Sequence, residues 1–268
     1  MKVCIFGAGV IGGILGSAIA RAGHEVALIA RGPHLEAIKS RGLVLNTPNE
    51  RYTTKHVASD DPADFGTQDL VIVATKTPAL PQVARTIAPL VGTDTLVAFA
   101  VNGTFWFYGD GFTLPDGRPP DTMRLDPDGA LHAVVGAERA VGIVCKASGD
   151  IKTPGTIEMT RPRGSFTAGP ALAKNFERVR DMFDELAPPM LDIEVVQDIR
   201  TPMWAKHVAA VGNMAVGALT GASTMELQAV DALQALRLTL MAEADAIAKA
   251  HGFADTGFDY EKEWPMRS

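Results

Sequence analysis

At 268 residues the chain is longer than a single hydrophobic core usually grows, so two unequal domains are expected. Hydrophobic residues make up 47% and charged residues 21%, which excludes a disordered chain and allows a sizeable core. A net charge of -6 without a basic stripe excludes nucleic acid as a partner, and no stretch reaches the roughly 18 uncharged apolar residues of a membrane-spanning helix.

The first elements are the most legible. Residues 2–6 form an apolar run bounded by glycine, residues 10–22 carry helical periodicity and residues 25–30 form a second apolar run, which together make a βαβ unit. Gly7, Gly9, Gly12, Gly13 and Gly16 interrupt the apolar stretch, so it does not read as a signal peptide, and the two cysteines, Cys4 and Cys145, are expected as buried thiols in a reducing cytoplasm. Residues 70–74 and 96–100 are further unbroken apolar runs separated by a helical pattern over 79–90, as for parallel strands buried on both faces. Over 105–139 the composition shifts to Gly, Pro and Asp, which reads as a long loop or insertion; its Phe105, Trp106 and Phe107 either wall a ligand pocket or, the favoured reading, form a small core of its own. Residues 141–147 and 155–159 read as strands, 171–186 as a helix ended by Pro188 and Pro189, and 202–251 as helical with breaks at Gly221 and Gly252.

The fold class is therefore α/β: residues 1–197 form an N-terminal Rossmann-type doubly wound sheet domain, and residues 198–268 a smaller all-α domain. Gly7-Ala8-Gly9-Val10-Ile11-Gly12 matches G-x-G-x-x-G where a strand ends and a helix opens, the setting in which bare backbone N–H groups hold a pyrophosphate. The alternative is a tight turn kept only for helix–sheet packing. At the end of the second strand, where an NAD site wants a carboxylate for the ribose 2'-hydroxyl, stand Ala30 and Arg31. A guanidinium fork suits a 2'-phosphate, so NADP(H) is the expected cofactor.

Across most of its length the sequence resembles the ketopantoate reductase family. The likeness lies in the glycine loop with Gly13, Ala30-Arg31-Gly32, Ala74-Thr75-Lys76, Asn102-Gly103, Asp126-Pro127-Asp128-Gly129, Val141-Gly142, and Ile199-Arg200 through Trp204 and Lys206 to Ala218-Leu219-Thr220-Gly221. The resemblance implies reduction of a small 2-oxo acid, 2-dehydropantoate to pantoate, by NADPH in a cleft between two domains. It further implies that Arg31 takes the 2'-phosphate, that Lys76 and Asn102 lie near the cofactor and the reacting carbonyl, and that Lys206 is the general acid. Its asparagines four and eight residues after that lysine are Ala210 and Met214 here; Asn213, seven residues on and about 20° from the Lys206 direction on a regular helix, is the expected substitute. The family continues past residue 268 with a segment that completes the substrate site, so a shortened chain, a different ligand or a partner copy is expected. Phe258, Tyr260 and Trp264 would then leave apolar surface that favours a homodimer. A reductase of another ketone or imine, and a non-catalytic NADP(H) sensor, are the alternatives. The histidines and cysteines show no metal-ligand spacing, so no metal is expected, and Glu243 and Asp245 read as solvated helix carboxylates.

Overall fold

The computed structural model describes residues 1–258, so Tyr260 and Trp264 lie outside the described residues. Two compact units are present: Met1–Gly111 with Asp121–Ile199, and Phe112–Pro120 with the chain from Arg200 on.

In chain order the first unit contains β1 (Lys2–Phe6), α1 (Val10–Arg21), β2 (Glu25–Ile29), α2 (Gly32–Arg41), β3 (Leu43–Asn46), β4 (Arg51–Thr54), β5 (Val57–Ser59), β6 (Leu70–Val73), α3 (Leu80–Thr86) and β7 (Leu96–Phe99). Then come α4 (Ala130–Val134), β8 (Ala140–Lys146), β9 (Gly149–Thr153), β10 (Thr156–Met159), β11 (Gly164–Pro170), α5 (Phe176–Leu186) and β12 (Leu191–Val195). Eight strands form the main sheet in the order β12-β11-β8-β7-β6-β1-β2-β5. From β5 to β8 every pairing is parallel, which puts the strand ends Phe6, Ile29, Val73 and Phe99 on one edge; β11 runs antiparallel to β8, and β12 follows β11. All residues of β6 and β7 are buried, as strands covered on both faces require.

Beyond the strand read over 155–159, which is its β10, nothing in the amino-acid pattern announced a second sheet. Its order is β4-β3-β10-β9, with β3 and β10 parallel across a long separation (Val44 opposite Thr156). It packs on α1, where a side chain at Gly13 would meet Ile157 Cδ1 at 2.2 Å. The helix expected over 79–90 is shorter: α3 ends at Thr86, and Ala88–Leu90 is a separate 3-10 turn around Pro89, whose ring cannot continue a helix.

The aromatic segment does not form a core of its own. Phe105, Trp106, Phe107 and Tyr108 are buried; Trp106 stands edge-on to Phe99 of β7 at 5.6 Å, and Phe105 and Phe107 stack at 5.1 Å. A Cβ at Gly142 of β8 would lie 2.7 Å from the Phe105 ring, so the segment docks on the main sheet through a gap that glycine leaves. Farther along, Asp126 accepts from the backbone N–H groups of Leu131 and His132. The His132 ring nitrogens lie 2.9 Å from both Asp126 and Asp110 and pack edge-on against Trp106.

In the second unit α6 (Arg200–Ala210) runs through a π-turn at Val211–Ala215 into α7 (Val216–Thr220), which ends at Gly221 with φ +70°. α8 (Thr224–Ala229) opens with a Ser223/Glu226 capping box, and α9 (Asp231–Ala250) follows. Val208, Met241 and Ala244 form the buried contact of α6 with α9, and Phe258 packs half-buried against it. Phe112 belongs here because its ring lies 5.4 Å from Phe253 and beneath the Arg200 guanidinium. Among the described residues no helix is long and apolar enough to cross a membrane.

The His132 clamp predicts a signed pH dependence. Burial opposes charge on the ring, but the bonds to Asp126 and Asp110 outweigh it and hold the pKa above the ordinary 6.5. Its stabilising contribution is therefore fully present below about pH 6.5 and is lost as pH rises through the raised folded value. Thermal melts of the wild type and His132→Gln across that range should converge on the alkaline side; a pH-independent gap would show that the clamp is not ionic.

Candidate active site

The site is built where β1 stops. Gly7 adopts φ +106°, and the N–H groups of Gly7 and Ala8 donate to Ile29 O at 3.1 and 2.9 Å, which ties the turn to β2. Gly9 is the N-cap of α1 and has no side-chain cap, so the first-turn N–H groups, which have no intrahelical acceptor, are open to a ligand. The three glycines do different work. A Cβ at Gly7 would meet Thr75 Cγ2 at 2.9 Å in a backbone conformation that disfavours side chains, and one at Gly12 would lie 2.0 Å from Gly7 O, whereas one at Gly9 would meet nothing within 4 Å. Turn, open approach and tight packing are the three requirements of a pyrophosphate loop.

Above the loop lies a cavity of about 410 Å³ whose wall includes Gly7, Ala8, Gly9, Arg31, His34 and Thr75. Arg31 is exposed at the N-cap of α2, while the Thr75 hydroxyl is buried without a hydrogen-bond partner. An orphaned hydroxyl, an open glycine and a helix N-terminus without an acidic residue in its first turn fit a phosphorylated dinucleotide. One carboxylate, Asp60, also lines this cavity.

Of the residues singled out from sequence, Gly7, Ala8, Gly9 and Arg31 share this cavity; Val10, Ile11 and Gly12 stand just behind it as the first turn of α1. Lys76 and Asn102 are not in its wall. Both are exposed where the neighbouring strands β6 and β7 end, and the Thr77 hydroxyl donates to Asn102 O at 2.6 Å across that gap. Sequence reasoning missed His34, Thr75 and Ile151 as cavity residues. Thr75 stood within a quoted motif; Ile151 belongs to the small sheet, and nothing local signals the placement of His34.

In the second unit Lys206 is half-buried on α6. Burial, and then the neighbouring Lys206 charge, hold His207 below the ordinary histidine range, so His207 is neutral at neutral pH. Asn213 lies inside the π-turn, where 100° per residue no longer holds, so the angle computed for a regular helix does not apply. Its Oδ1 accepts from Nη2 of Arg237, which is 1% exposed and was not singled out from sequence. Ala210 is half-buried and Met214 exposed. Glu243 is exposed, and Asp245 pairs with Lys249 at 2.8 Å along α9.

A mostly parallel sheet whose switch-point turn is shaped for a pyrophosphate, joined to a helical unit, defines a dinucleotide-dependent oxidoreductase. Comparison with known proteins specifies it further. Residues 3–172 match the model of the family described as ketopantoate reductase PanE/ApbA. A 2-dehydropantoate 2-reductase of Mesorhizobium japonicum is 34% identical over 256 residues, 94% of this chain and 77% of that protein. One from Pyrococcus horikoshii is 28% identical over 94% of this chain and 75% of its own length. The crystal structure of 2-dehydropantoate 2-reductase from Geobacter metallireducens superposes with a TM-score of 0.77 at 25% identity, covering all of this chain and 85% of the other. The chain belongs to the ketopantoate reductase family.

The glycine geometry separates two kinds of damage. Gly9→Ala should leave the apo melting temperature unchanged yet weaken NADPH binding, because its methyl occupies only open space. Gly12→Ala should lower the melting temperature as well, since its Cβ overlaps Gly7 O. Calorimetry paired with NADPH titration reads both, and equal effects of the two substitutions would contradict these roles.

Proposed function

We propose that the protein reduces 2-dehydropantoate to pantoate with NADPH. The observation that carries this reading is the single cavity that holds both the glycine turn and the Arg31 guanidinium. The backbone N–H groups from Gly9 onward, with Val10, Ile11 and Gly12 supplying the helix start, bind the pyrophosphate, and Arg31 binds the 2'-phosphate through its fork of donors. When bound, the nicotinamide supplies a hydride to the ketone carbon. The oxygen that gains negative charge needs a proton and a positive neighbour, and the Lys206 ammonium offers both. Lys76 and Asn102 serve the nicotinamide side.

Asn213 orients the substrate. Arginine can only donate, so the amide atom facing Arg237 is the oxygen, and the Asn213 NH2 group is left as a donor for a 2-oxo acid. A second reading, reduction of a different 2-oxo acid, ketone or imine, is favoured by Ala210 and Met214 standing where the family carries asparagines. We further propose a cytoplasmic homodimer. Supporting the location are two cysteines buried as thiols, with burial pushing the Cys4 thiol up to about 12 and so keeping it inert. Supporting association are Leu219, Met225 and Met214, 82%, 77% and 68% exposed on the helical unit.

NADPH oxidation with 2-dehydropantoate and a panel of 2-oxo acids tests the reaction. Turnover confined to another substrate selects the second reading, and NADPH binding without turnover on any substrate selects a sensor. Lys206→Ala should lower kcat by about 10²–10⁴-fold with NADPH affinity nearly unchanged. Arg31→Ala should weaken NADPH by about tenfold or more while leaving NADH unaffected, and equal losses for both would remove the 2'-phosphate from Arg31.

A further inference from the structure

His34 stands in the first turn of α2, half-buried in the cavity wall, and both of its ring nitrogens are engaged by main chain. Nδ1 lies 2.9 Å from the N–H of Gly155, and Nε2 lies 2.8 Å from the carbonyl oxygen of Ala8. A backbone N–H can only donate and a carbonyl can only accept, so Nδ1 is the acceptor and Nε2 carries the proton. The ring is therefore neutral, in one tautomer, and bridges two segments far apart in sequence. One is the glycine turn at its central Ala8. The other is the β9–β10 turn, where Gly155 holds φ +75° and lies so close to α2 that a Cβ there would meet Ala37 Cβ at 2.8 Å. The same hairpin touches the loop a second time: a Cβ at Gly149 would be 3.2 Å from Val10 Cγ1.

From this geometry we infer that His34 is a positioning residue for the dinucleotide: it latches the Ala8 carbonyl to the small sheet and thereby fixes the direction of the N–H groups that receive the pyrophosphate. The inference rests on the NADP(H) reading of the cavity. It assigns the small sheet a task, which is to hold the phosphate-binding turn through the Ala8 carbonyl while β2 holds it through the Gly7 and Ala8 N–H groups. Because the latch acts on the turn and not on the 2'-phosphate, its loss weakens phosphorylated and unphosphorylated cofactors alike, unlike a change at Arg31.

Two variants test it in the full-length protein. His34→Phe keeps the ring volume and loses both bonds; His34→Gln keeps one donor and one acceptor on an uncharged side chain. Fluorescence titration should show His34→Phe weakening NADPH and NADH by the same factor, about tenfold, with His34→Gln within about threefold of wild type. Nitrogen NMR of the apo protein should find Nε2 protonated and Nδ1 bare. Unchanged affinity in His34→Phe, a loss confined to NADPH, a Gln variant as weak as Phe, or the opposite tautomer would each overturn the latch while leaving the cofactor reading intact. A wild-type protein that binds neither cofactor would overturn both.

Discussion

The structure depends on how closely α1 approaches β1. At Gly12 the helix comes so near the turn that a Cβ would sit 2.0 Å from Gly7 O and 2.8 Å from Ile5 Cγ2; at Gly16, one turn on, it would sit 3.0 Å from Leu28. Only a helix bare of side chains on that face can lie there, and only from there do its first-turn N–H groups open at the edge where β1, β2 and β6 end. The price is a helix with three interior glycines, each about 1 kcal/mol less favourable than alanine. Burial offsets it. Residues 12–19 are all buried, with Gly12 and Gly16 against the main sheet and Gly13 against Ile157 of the small one. Tertiary packing between two sheets, and not intrinsic propensity, makes this segment a helix.

How much of the fold was legible follows from how much of each element's environment its own residues encode. β1, β2, β6 and β7 are continuous apolar runs because a parallel sheet covered on both faces leaves no polar position, and such runs stand out unaided. The small sheet, of which only β10 was read as a strand, was otherwise hidden for the opposite reason. β9 reads Gly-Asp-Ile-Lys-Thr with nearly every residue exposed, and β3 finds its parallel partner more than a hundred residues away, a pairing no local pattern announces. The aromatic run at Phe105–Tyr108 advertised burial but not its partner, which is the space over Gly142.

The candidate site divides along the same line. The glycine turn and Arg31 could be read from sequence because a backbone conformation and a phosphate each demand a particular residue type at a particular spacing. Thr75 and His34 could not be placed in the cavity, since their roles come from what surrounds them: one hydroxyl buried without a partner, one imidazole between two main-chain groups from different elements. Nor could the angle arithmetic that set Asn213 beside Lys206 survive, because five residues of π-turn follow Ala210 and widen the helix.

That π-turn links packing to chemistry. It lets Gly212 pass Met241 at a distance where a Cβ would lie 2.5 Å from Cε, and Asn213 meets Arg237, a cation that burial in α9 disfavours. A buried guanidinium requires oxygen acceptors, and Asn213 provides one without adding a negative charge. An asparagine committed in this way has its amide orientation fixed by the arginine, because exchanging Oδ1 and Nδ2 would set donor against donor. A contact that holds the helical unit together therefore also fixes which end of the Asn213 amide faces away from Arg237.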